Sequence, residues 1–373
     1  MKINNIILTT LIVLFSFITA PTSLHAQEDT TETLEATIIT VLEEKEITSD
    51  FDGETQLYQQ LELLITKGSL QTKKIIIENG NIPLANLQKY QVGDRVMVNY
   101  EKDFQDIDYF YITDYIRRGS LLWLFIIFTV LVATIAKWRG ITSLLGMAAS
   151  FFVILKFILP KILSGSDPIL IAIIGSMLII PITFYLSHGF NKKTTVAVAG
   201  TTIALIITGV LASIFVNTAK LTGFASEEAG FLQVAKQGSI NIKGLLLAGI
   251  IIGVLGVLDD ITISQSAIVV QLKKANPKLK LEQLYKRAMD VGQDHISSMV
   301  NTLILVYTGA ALPLLLLFIN NPRPFSELIN YEIVADEIIR TLVGSIGLIL
   351  AVPITTIIAV LTIANKKNKN VIK

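Results

Sequence analysis

This chain is expected to form an α-helical polytopic membrane protein, with about seven transmembrane helices behind a small N-terminal all-β domain. Three observations carry that expectation. The composition is 52% hydrophobic and 16% charged with a mean hydropathy of +0.61, against about 25% charge in soluble domains. Apolar runs near the ~20 residues that a bilayer requires recur between residues 120 and 364. Residues 27–117 instead alternate short β-rich runs with turn signals.

In chain order, residues 1–26 read as an export signal. Lys2 is the positive end, Ile6 to Ala20 the apolar centre and Leu24-His25-Ala26 the cleavage site. An uncleaved anchor is the alternative. Either version sends residues 27–117 to the extracytoplasmic side. That segment offers five short strands: Ala36 to Leu42, Leu57 to Ile65, Lys73 to Glu78, Arg95 to Tyr100 and Tyr109 to Asp114. Asp52-Gly53, Asn79-Gly80-Asn81 and Val92-Gly93-Asp94 supply turns between them. Five strands in this length suggest an OB-like barrel. Its mixed charge, with acidic patches at Glu43-Glu44 and Asp103 to Asp108, argues against nucleic acid and for an accessory or guarding domain.

Residues 118–365 form the expected membrane domain, with helices near 120–137, 140–160, 168–187, 195–217, 244–270, 296–319 and 339–364. Starting outside, this order places Lys137, Arg139, Lys192, Lys193 and the basic hairpin Lys273 to Arg287 in the cytoplasm. The basic tail, residues 366–373, joins them. Outer loops carry fewer Lys and Arg, so the positive-inside rule supports an outer N-terminus and an inner C-terminus at the cell membrane. Pro181, Pro313 and Pro353 interrupt three of the spans, and each frees a carbonyl one turn earlier.

The stretch from Gly244 to Thr308 carries the chemistry. Its first apolar run meets Asp259 and Asp260 side by side, then Thr262, Ser264 and Gln265. The next opens with Asp294, His295, Ser298 and Asn301. A carboxylate at membrane depth costs several kcal/mol, so a protein-lined polar cavity is expected around it. Gly249, Gly253, Gly256 and Asp260 share one helical stripe, and small residues there are expected to pack the helix into the bundle. Gly344 and Gly347 are expected to do the same in the last helix. The nine polar residues together are the candidate ion or substrate site. A single bound cation of unknown identity is compatible with them, and no organic cofactor is expected.

Three stretches resemble the signature of the YibE/F-like membrane proteins: Gly253 to Ala267 (GVLGVLDDITISQSA), Gly292 to Thr302 (GQDHISSMVNT) and Glu337 to Gly347 (EIIRTLVGSIG). The resemblance covers roughly Gly119 to Asn365. It implies polytopic membrane topology and assigns no activity and no functional residues.

Function classes narrow by exclusion. There are no cysteines, so disulfides, thiolate metal sites and cysteine catalysis are excluded. No Gly-x-x-x-x-Gly-Lys-Ser/Thr loop, His-Glu-x-x-His pair or serine elbow occurs. A transporter or permease that binds a cation, or couples a solute to H⁺ or Na⁺, is the leading reading, and no enzyme activity is expected. A scaffold, homo-oligomeric or joined to a related membrane protein, is the second. An intramembrane aspartyl protease is the third, and it lacks the Gly-x-Gly-Asp motif. Beyond the lipid bilayer and such a protein, the sequence names no partner.

Overall fold

Period-two alternation folds the first part of the chain into one antiparallel sheet. The computed structural model describes residues 31–48, 55–81, 87–103, 107–319 and 323–364. The expected export signal, the Asp52-Gly53 turn and the basic tail lie outside them. Five strands form: β1 (Glu32–Thr48), β2 (Thr55–Lys67), β3 (Lys74–Asn79), β4 (Arg95–Lys102) and β5 (Asp108–Tyr115). Their order is β3-β2-β1-β4-β5, with every neighbouring pair antiparallel. Leu34, Ala36 and Ile38 of β1, Leu61, Leu63 and Ile65 of β2, and Val96 and Val98 of β4 are buried on one face. Each of the larger side chains contributes roughly 1.5–3 kcal/mol by leaving water, whereas Arg95 and Met97, which alternate with the β4 valines, are exposed.

Register shifts in β1 between Ile38 and Thr40, and between Val41 and Glu43, bend the long strand. The sheet therefore curls, and Lys73 beside β3 pairs with Asp108 of β5 at 3.4 Å. Gly93 takes φ +96°, open to glycine at little cost, in the turn that enters β4. Its N–H donates to Ile38 O at 2.8 Å. The Glu43-Glu44 patch is paired with lysines: Glu43 with Lys45 at 3.0 Å and Glu44 with Lys89.

The chain divides into two compact units between Leu131 and Val132, within the first long helix. That helix, α1 (Arg118–Ile135), buries only Thr129. The helices that follow are α2 (Lys137–Leu163), α3 (Pro168–His188), α4 (Lys192–Thr218), α5 (Glu227–Ala235), α6 (Ile242–Ala275), α7 (Leu281–Ala310), α8 (Leu312–Ile319), α9 (Phe325–Leu328) and α10 (Glu332–Ala364). Short polar side chains start several of them. Asp167 accepts from Leu170 N–H at 2.8 Å, Asn191 from Thr194 N–H at 3.0 Å and Asn241 from Gly244 N–H at 2.9 Å. In α2 a π-helical turn, Ile154–Ile158, precedes Pro160, whose ring and missing N–H disturb the regular ladder.

Among the described residues six helices are long and apolar enough to cross a membrane, or seven if the bent pair α7 and α8 counts as one span. This is the make-up of a polytopic membrane protein. Three expectations change. The span placed at 244–270 belongs to a 34-residue helix. The one placed at 296–319 begins at Leu281 inside the hairpin and bends by 69° between Ala310 and Leu312, just before Pro313. Pro181 and Pro353, by contrast, sit inside unbroken helices.

The core of the second unit gathers around α6, which packs against α3, α4, α7 and α10. Leu258 and Ile261 are fully buried, with Ala204 of α4 and Ala351 and Val352 of α10. Glycines let α10 come close: a Cβ on Gly347 would lie 2.1 Å from Thr208 Oγ1, and one on Gly344 3.3 Å from Val254 Cγ2.

Candidate functional site

Asp259 and Asp260 stand at the midpoint of the 34-residue α6, ~25 Å of helix from either end at ~1.5 Å per residue. Asp259 is half-buried and Asp260 is exposed within this chain. Burial of Asp260 was expected from its glycine stripe, and the structure reverses that sidedness. Gly249, Gly253 and Gly256 are also exposed, and nothing lies within 4 Å of where a Cβ of Gly249 or Gly256 would be. The reason is volume. The larger apolar surface, Leu247, Ile251, Val254, Leu258 and Ile261, turns into the core and leaves the small residues outside.

The opposite side of α6 carries a buried polar network. Thr262 Oγ1 and Thr201 Oγ1 of α4 are 2.6 Å apart, and Thr262 also donates to Leu258 O at 2.9 Å. Gln265 Nε2 donates to Ala288 O of α7 at 2.9 Å and to Thr356 Oγ1 of α10 at 2.7 Å. Ser266 donates to Lys193 O at 2.9 Å. Gly292 leaves room for the Gln265 amide, since a Cβ there would lie 3.0 Å from Nε2. Gln265 Oε1, Thr194 Oγ1 and Thr355 Oγ1 are buried without a hydrogen-bond partner among the described residues. Four helices thus meet on Thr262 and Gln265, while Ser264 is half-buried beside them.

Thr201, Thr355 and Thr356 were not among the residues expected here. A signal for the first exists: Thr194, Thr201 and Thr208 recur every seven residues on α4, and all three are fully buried.

Helices α6 and α7 touch at two levels. One is Gln265 with Ala288 and Gly292; the other is Gly253, whose Cβ would lie 3.9 Å from Tyr307 Oη. Between them, Ser298 falls at about the level of the Asp pair. Asp294 and His295 lie within about one turn toward Gln265, and Asn301 within about one turn toward Gly253. Asp294, Ser298 and Asn301 are exposed and His295 is half-buried. The structure therefore separates the expected residues into a buried set, Thr262 and Gln265, and an open set at the level of the carboxylates.

Among the described residues no three His, Asp or Glu side chains converge as a metal site. A cation at Asp259 and Asp260 would need hydroxyl, amide or carbonyl oxygens to complete its shell. Chemically, the pair can exchange protons or hold a positive charge.

Comparison with curated proteins gives no match, and comparison with solved structures gives none. The YibE/F-like protein family matches residues 124–365, more than half of the 373 residues, and the chain belongs to that family.

Proposed function

We propose that the chain is a membrane transporter or permease in which the Asp259–Asp260 pair binds a cation or couples solute movement to H⁺ or Na⁺. One observation carries this reading: two adjacent carboxylates at the midpoint of the helix around which the bundle is built. Facing lipid, such a group costs several kcal/mol, so its place there calls for an occupant or a function. The polar network behind it holds α4, α6, α7 and α10 in register, a fixed wall against which a site could open and close. In this reading the signal is cleaved or anchored, residues 27–117 lie outside, and the sheet closes as an OB-like barrel guarding the outer face.

The test is flux in proteoliposomes under a pH or cation gradient. Asp260→Asn keeps shape and hydrogen bonding while removing the titratable charge. It should leave insertion and expression intact and abolish coupled flux, with Asp259→Asn weakening it. Normal flux from well-expressed Asp260→Asn protein would remove this residue from the coupling site.

A second reading rests on the open glycine stripe. A scaffold that presents Gly249, Gly253 and Gly256 to a second copy, or to a related membrane protein, would cover Asp260 without transporting anything. In that case Asp260→Asn is harmless or stabilising, because a charge at an interface has been neutralised.

A further inference from the structure

Helices α3 and α4 are joined by only Gly189, Phe190 and Asn191, so both end at one level, and the last turns of α10 reach the same place. A cavity of about 450 Å³ opens there, within the size range of small-molecule sites. Its apolar walls are Val196 and Ala199 of α4 and Ile358 of α10. Phe190 stacks on Tyr185 beside it, with ring centroids 4.4 Å apart.

The polar groups around the cavity are committed to one another, with one exception. Asn191 accepts from Thr194 N–H at 3.0 Å and donates to His188 O at 2.8 Å. Thr195 Oγ1 donates to Asn191 O at 3.2 Å, which leaves the Tyr185 hydroxyl, 3.1 Å away, to donate to Thr195. Thr362 donates to Ile358 O at 2.7 Å. The Lys192 ammonium is exposed and has neither a hydrogen bond nor an ion pair among the described residues. No carboxylate among those residues lines the cavity with it. More positive charge adjoins it: Lys193 follows in α4, and His188 lies in the field of Lys193 and Arg139, with Asp260 as the opposing carboxylate. In the sequence, Lys366, Lys367 and Lys369 begin four residues after Thr362.

We propose that this cavity holds the phosphate headgroup of an anionic phospholipid, with an acyl chain lying along α4. The charge selects an anion, and basic pockets between membrane helices recognise such headgroups. The face of α4 selects a lipid over a free anion. Lys192, Thr195, Ala199, Ile203, Ile206 and Val210 recur at intervals of three and four and so share one face. The last three are exposed within the chain and continue the apolar wall away from the ammonium. Ile203 lies ~16 Å along the helix from Lys192, close to the ~15 Å of hydrocarbon in one leaflet. Tyr185 and Phe190 stand where aromatic side chains favour the headgroup level. A lipid seated this way bridges α3, α4 and α10. The proposal rests on the bundle lying in a membrane and is independent of transport.

The experiment is native mass spectrometry of the delipidated full-length protein in neutral detergent, titrated with phosphatidylglycerol or with phosphatidylcholine of the same acyl chains. One phosphatidylglycerol should be retained per chain in preference to phosphatidylcholine. Lys192→Gln, at an exposed position, should weaken that binding about fivefold, and Ala199→Phe, which fills the apolar wall, should weaken both lipids. Lys236→Gln, in the loop after α5, should leave binding unchanged. Equal retention of the two lipids overturns the proposal, as does equal affinity in Lys192→Gln. Displacement of the lipid by equimolar inorganic phosphate overturns it too, by identifying a free-anion site. A dimer that takes up no lipid does the same, by giving this face to a second copy. Because no flux is read, failure of the transport reading would leave this site standing.

Discussion

At the scale of single residues, the glycines divide into two kinds that look alike as letters. An alanine at Gly347 would place its Cβ 2.1 Å from Thr208 Oγ1 and 3.1 Å from Thr208 Cγ2. Thr208 is fully buried and already donates to Ala204 O at 2.8 Å, so it has little room to retreat. Gly347→Ala should therefore destabilise the protein by about 1–3 kcal/mol, the usual cost of overpacking. Adding Thr208→Ala should recover part of the loss. Gly256→Ala meets nothing within 4 Å and should leave stability unchanged or raise it by up to about 1 kcal/mol, alanine being the better helix former. Thermal melting in detergent checks both: an unchanged melt in Gly347→Ala would contradict the close α4–α10 approach. A large loss in Gly256→Ala would show that another protein surface covers the stripe.

At the scale of elements, β1 is tied at its start by charge. The Arg118 guanidinium donates to Glu35 Oε1 at 2.8 Å and also to Oε2, with Lys67 of β2 at 3.6 Å. These hydrogen bonds hold the Glu35 carboxyl below its ordinary value of 4.5. A carboxyl depressed in the folded state adds stability above its unfolded pKa and loses it as pH falls through the folded one. A fragment of residues 27–118 should therefore lose stability between about pH 5 and pH 3. The Arg118 side chain is 60% exposed, so screening limits the Glu35 share to roughly 0.5–1 kcal/mol. Denaturant melts at both pH values should show a smaller acid loss in Glu35→Gln, and an equal loss would remove Glu35 as the cause. The strands themselves were legible because Arg95-Val96-Met97-Val98 alternates with one buried face. The orientation of α6 was not. An apolar helix with Leu, Ile and Gly all round carries no strong stripe, and side-chain volume settles which face is buried. The threonine network was hidden for a related reason: Thr262 and Thr356 each return a hydrogen bond to a carbonyl four residues back and so pass as ordinary helix residues. The bend before Pro313 was legible as a breaker, but the length of α7 was not, because its first turns are amphipathic and polar.

At the scale of the whole molecule, the arrangement across the membrane follows from charge and from the number of crossings. Asn276 caps the end of α6 and lies in the hairpin between α6 and α7, among Lys273, Lys274, Lys278, Lys280, Lys286 and Arg287. Basic residues that close to membrane helices resist translocation, and the proposed topology accordingly puts the hairpin in the cytoplasm. Asn81 follows β3 in the sheet unit and is exposed. If residues 1–26 export that unit, five crossings separate the two asparagines: α1, α2, α3, α4 and α6. An odd number puts them on opposite faces, and α5 leaves that parity intact because its 9 residues are far short of the ~20 a crossing needs. Fusions of a periplasm-active and a cytoplasm-active reporter at each position should give complementary signals, with Asn81 outside and Asn276 inside. Signals from the same face would mean that one of the five long helices lies along the membrane rather than across it. The first suspect would be α1, which buries a single residue within the chain.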